Sequence, residues 1–141
     1  MQLRLAIAGS VFFAFSGAAV AADAPNLVGN WTRIAFSAAQ VGEHAGFAPV
    51  TKPTLMHGDA PDWTMKIDAQ DGGSFSGTLT GPSGRPQAIV GTFQLDGRRF
   101  VFATVDDMGS GTVENDVLEY CWATSSQRYI GTGCATYQRT K

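Results

Sequence analysis

Apolar and polar positions alternate with a period of two in several stretches of the chain, which predicts half-buried β-strands. Trp63, Met65 and Ile67 alternate with Thr64, Lys66 and Asp68. Phe75, Gly77 and Leu79 alternate with Ser74, Ser76 and Thr78. Asp71-Gly72-Gly73 lies between these two runs and reads as a hairpin turn. A third run over 88–94 places Ile89, Gly91 and Phe93 on one face. Asp96-Gly97 turns it into the 98–105 run with Phe100 and Phe102, and a short run covers 108–114. Asn115-Asp116 turns that into 117–124, and 125–128 turns into a last run over 129–139. With 27–36 at the front, the pattern predicts about eight strands and no core helix.

Consecutive strands joined by short turns imply an antiparallel meander. The expected fold is all-β: an eight-stranded, antiparallel, up-and-down β-barrel, because closure removes exposed edges. A two-sheet sandwich is the alternative and would need longer crossovers. One long connection is expected over 37–62, with Gly42, Gly46, Pro49, Pro53, Gly58 and Pro61 in it. A loop of that length usually acts as a lid or a binding loop, or is mobile.

The 1–22 stretch lies outside this pattern and reads as a secretory signal peptide. Arg4 supplies the positive start, an apolar stretch follows, and Ala19-Val20-Ala21 and Val20-Ala21-Ala22 are small-x-small cleavage sites. A membrane anchor is the competing reading, but the run is at the short edge for a span. The domains expected are therefore a cleaved signal over 1–22 and one barrel over 23–141. Removing Arg4 with the signal takes the formal charge from −2 to −3. Without a basic patch, nucleic-acid binding is not expected. No later segment is long and apolar enough to span a bilayer, so the mature protein is expected to be periplasmic or secreted.

Export leads to an oxidising compartment, where the only two cysteines, Cys121 and Cys134, are expected to form a disulfide. If they face each other across the last hairpin, Trp122 opposes Gly133, Tyr120 opposes Ala135, and Leu118 opposes Tyr137. These large-against-small pairs lie on the face opposite the cysteines, with rings over bare backbone. Leu118, Tyr120 and Trp122 should then face the lumen, with the disulfide, Glu119 and Thr136 outside.

Leu27-Val28-Gly29-Asn30-Trp31-Thr32 carries a Gly-x-Trp signature at the start of the first strand. It resembles the signature of lipocalins and avidins, and its Leu-x-Gly-x-Trp-Thr form is most similar to avidins. The 68–78 stretch also resembles the second hairpin of avidin-type barrels. Leu118-Glu119-Tyr120-Cys121-Trp122 with Gly133-Cys134-Ala135-Thr136 resembles exported bacterial avidin-like barrels. The resemblance implies that Trp31 lies inside the closed end with Arg139 packed over it, a structural pair worth about 0.5–2 kcal/mol. It aligns Arg33 and Ser37 with ligand-binding polar positions of avidin's first strand, but the later biotin-binding motifs do not match. Biotin binding is not expected.

Candidate chemistry is sparse. Arg33 faces inward if it shares the face of Trp31, where it would suit a carboxylate or phosphate; otherwise it is exposed. Trp63, Phe75, Phe93, Phe102, Tyr120 and Trp122 line an apolar cup or fill the core, since an eight-stranded barrel is just wide enough for side chains to fill. His44 and His57, with Glu43 or Asp59, do not have a known metal-ligand spacing, and no metal or cofactor is expected. Asp106-Asp107 reads as a solvated turn. No catalytic constellation is visible, because both histidines fall in the long connection and both cysteines are spent on the disulfide. The chain is therefore expected to be a non-enzymatic, small-ligand-binding barrel. Its ligand would be apolar, with an acidic group as one option, held by Arg33, Trp63, Tyr120 and Trp122. The alternative is a periplasmic protein-interaction or inhibitor module that uses the 37–62 connection.

Overall fold

The computed structural model describes residues 24–43, 49–59 and 62–140. The expected signal segment and His44 lie outside them. Among the described residues there are nine strands and no helix: β1 (Gly29–Gly42), β2 (Val50–Gly58), β3 (Thr64–Asp71), β4 (Ser74–Thr80), β5 (Pro86–Phe93), β6 (Arg99–Ala103), β7 (Met108–Glu114), β8 (Val117–Ser125) and β9 (Tyr129–Thr140). Every pairing is antiparallel. β3 to β9 form a meander, and β1 pairs with both β3 and β9, which closes an eight-stranded barrel.

The 37–62 stretch, expected as one connection, is corrected. β1 continues to Gly42, and β2 folds back on it from Phe36↔Gly58 to Gly42↔Val50. β1 thus forks along one edge. Its lower part, Gly29–Thr32, pairs with β3, and its upper part with β2. The Arg33 N–H donates to the Trp63 carbonyl at 2.9 Å where the two partners diverge. Two local features obscure these strands in the sequence. β2 contains Pro53, which an edge strand tolerates because its missing N–H need not serve a ladder. A bulge at Ile34 breaks the alternation of β1. Trp31 and Arg33 face the lumen below it, and Phe36, Ala38 and Gln40 face it above. The carry-over of Ser37 as a lumen residue is therefore wrong. Ser37 pairs with Cys134 on the outer face and is exposed.

The lower half of the lumen is filled. Phe75, Phe93 and Phe100 meet edge to face at 5.6–6.0 Å between ring centroids. Inward glycines receive rings from neighbouring strands. Phe75 lies over Gly91, Phe100 over Gly111, Phe102 over Gly109 and Trp122 over Gly133, where a Cβ would sit 2.3–2.8 Å from the ring. Leu27 plugs the closed end, fully buried. The Gln70 side chain accepts from the Leu27 N–H at 2.7 Å and donates to the Pro25 carbonyl at 3.0 Å, which ties that segment across the base. Trp31 is fully buried and donates from Nε1 to the Leu27 carbonyl at 2.9 Å. The Arg139 guanidinium lies 4.3 Å from the Trp31 ring and also bonds Asp116 and the Val28 and Asn26 carbonyls.

Candidate ligand cavity at the barrel mouth

Cys121 and Cys134 are joined across β8 and β9, in the register where Trp122 opposes Gly133 and Tyr120 opposes Ala135. That register fixes Tyr120 and Trp122 on the lumen face. Trp63 immediately precedes β3, at the same end of the barrel, and packs against the core while only partly buried. Arg33 comes up from β1, one inward position above Trp31.

The structure brings these four residues together around a cavity of about 210 Å³ that opens at the mouth. Its floor is aromatic. Phe102 and Tyr120 lie 4.8 Å apart, Tyr120 and Trp122 5.7 Å, and Tyr120 stacks on Tyr137 at 5.4 Å. Phe75 and Phe93, the other two residues of the expected cup, belong to the filled half instead. The lumen is thus packed below and open above.

Arg33 is the buried cation of the site, only 7% exposed. Its guanidinium bonds the Asp62 carboxylate and lies 4.1 Å from the centre of the Phe36 ring. A buried cation requires such compensation, since desolvation otherwise costs several kcal/mol. Asp107 also lines the cavity, half-buried, in the β6–β7 turn. The Thr104 hydroxyl holds this turn by accepting from the N–H groups of Asp106 and Asp107 at 3.3 and 3.0 Å.

The Tyr120 and Tyr137 hydroxyls lie 3.3 Å apart. Burial, followed by the neighbouring Tyr137, holds the Tyr120 hydroxyl well above its ordinary value. Burial likewise pushes Tyr137 up to about 12, although its bond to Tyr120 and the nearby Arg33 charge act the other way. At neutral pH both are neutral hydrogen-bonding groups. Tyr129 reaches the rim and donates to Gln40 Oε1 at 3.0 Å.

Sequence reasoning missed Asp62, Asp107, Phe36 and Tyr137 as cavity residues. Tyr137 could have been found, because the disulfide register already placed it opposite Leu118. Phe36 follows the bulge, and the two acids sit in turns without periodicity. His57 pairs with Ser37 in β2 and is exposed on the outer face, away from the cavity.

Fold and cavity together define a class, a closed antiparallel β-barrel of eight strands with a chamber at one end. Among solved structures, the chain is similar to one described as a redesigned β-barrel. The two share 15% sequence identity with a TM-score of 0.44, over 82% of this chain and 92% of that one. No protein-family model matches the sequence, nor does any curated protein.

Proposed function

We propose that the protein is an exported, non-enzymatic barrel that binds a small apolar molecule in its mouth, as a carrier or sensor. The cavity of about 210 Å³ with aromatic walls carries this reading. Ligand sites are concave, mostly apolar and furnished with a few convergent polar groups. An apolar protein cavity of about 150 Å³ holds a benzene molecule, so this one suits a single substituted ring or a short branched chain. The resemblance of the first strand and the last hairpin to avidin- and lipocalin-like barrels supports the same use of the mouth. The 1–22 segment and the Cys121–Cys134 disulfide support export.

Tryptophan fluorescence tests the reading. Trp63 and Trp122 line the cavity, while Trp31 is a buried internal reference. Titration with aromatic and short fatty acids and their uncharged counterparts should give saturable quenching by at least one compound. Native mass spectrometry of protein purified from the periplasm should show a one-to-one adduct. Absence of binding across the panel would sink the carrier reading and favour a protein-interaction module. The second reading draws on the β1–β2 hairpin, whose β2 exposes Thr51, Lys52, Pro53, Thr54 and Leu55.

A further inference from the structure

The charged groups of the cavity differ in depth. The Arg33 side chain is 8% exposed, whereas that of its partner Asp62 is 43% exposed. The cation is fixed by the barrel wall: its backbone pairs with Tyr137 of β9, and its guanidinium rests over Phe36. Asp62 comes from the connection before β3, outside the ladder, so its carboxylate can turn towards water once another anion compensates Arg33.

We propose that Asp62 is a displaceable counter-ion of Arg33, and that the ligand is an apolar molecule with a carboxylate that takes its place on the guanidinium. This rests on reading the cavity as a ligand site. By formal count the lining carries Arg33 against Asp62 and Asp107, which by itself favours a cationic ligand. Position reverses that count. Asp62 lies where solvent weakens its field, Asp107 sits half-buried in the β6–β7 turn, and the guanidinium is the deepest charge, against the Phe36 ring, where charge is screened least. A carboxylate arriving at Arg33 exchanges one charge-assisted bond for another and returns Asp62 to water. A cation arriving there meets Arg33 itself. The Tyr120–Tyr137 hydroxyl pair lines the same cavity, and the one O–H not spent within the pair is a neutral donor for a ligand there.

Three matched probes on the full chain separate the outcomes: phenylacetate, phenylacetamide and phenethylamine. The unaltered protein should bind the acid about fivefold or more tightly than the amide, with the amine weakest. Asp62→Asn removes the competitor and should tighten phenylacetate binding severalfold while leaving the amide unchanged. Arg33→Met should abolish the preference for the acid. Because Arg33 is buried and that variant can fail to fold, Asp62→Asn at the half-exposed position carries the decision alone. If Asp62→Asn weakens phenylacetate binding or leaves it unchanged, the inference is overturned. The same holds if phenethylamine binds best. Equal binding of acid and amide in every folded form would remove the counter-ion role but leave the cavity a binding site. If none of the three binds to any form, the carrier reading falls with it.

Discussion

Two tyrosine hydroxyls 3.3 Å apart in a mostly apolar chamber make an alkaline switch in stability. Burial raises both above the value of an unfolded tyrosine, with Tyr137 at about 12. Between pH 10 and about 12, the folded chain therefore holds protons that the unfolded chain has released. Their contribution is fully present below pH 10 and is lost as pH rises through the folded values. Phenolate absorbance should show Tyr129, the least buried of the three, ionising first, and Tyr137 and Tyr120 only as pH rises through their higher folded values. Tyr137→Phe should remove the late step at about 12. Simultaneous ionisation of all three near pH 10 in folded protein would refute this. At this scale the sequence was readable wherever a residue belonged to a paired register. Tyr120 and Trp122 followed from the cysteines, whereas the inward direction of Arg33 rested on the Gly-x-Trp resemblance, with exposure as the alternative. Asp62 and Asp107 were not readable, because a turn residue has no period from which its direction can be inferred.

β2 is the element with the least support. Among the described residues it pairs only with the upper half of β1, and most of its side chains are exposed. Local opening is easiest where few apolar groups are buried, so amide hydrogens of β2 should exchange ahead of those in β4, β5 and β8. Protection of β2 equal to that of β8 would mean that another surface covers it. This strand and the upper half of β1 read as a loop for physical reasons. Glycines and prolines punctuate 37–62, and the alternation restarts after Ile34 with small residues, Ala38 and Ala39, that carry little signal. A second bulge at Asp68 does the same in β3, turning Gln70 inward to hold the N-terminal segment. Each bulge adds one residue to one strand, which bends it and lets a sheet curl towards closure. The hairpins were legible because their turns use residues that tolerate left-handed backbone. Asn115 and Asp116 sit at φ 51° and 61°, and Asp96 accepts from the N–H groups of Arg98 and Arg99 at 3.0 Å each.

For the molecule as a whole, closure depends on β1 meeting β9, and the disulfide ties β9 to β8 beside that seam. The two cysteines are 13 positions apart, so the bond should stabilise the fold by about 3 kcal/mol through the unfolded chain. Denaturant titration of the oxidised protein against a Cys121→Ser, Cys134→Ser double variant measures this directly. A loss of that size with the Trp63 and Trp122 emission retained is expected, since the bond lies on the outer face. A collapse of the folded signal in dilute buffer would mean that the bond holds the barrel closed. Barrel closure itself was legible from strand count and turn length, whereas the fork in β1 was not. The arrangement of rings over bare backbone has a consequence for descent. A ring that lies over a glycine can be exchanged for another bulky group with some repacking. The glycine beneath it cannot gain even a methyl group without meeting both the ring and, at Gly109 and Gly111, a carbonyl oxygen about 2 Å away. In related chains that diverge from this one, the plainest residues should change last, and the aromatic residues above them should drift first.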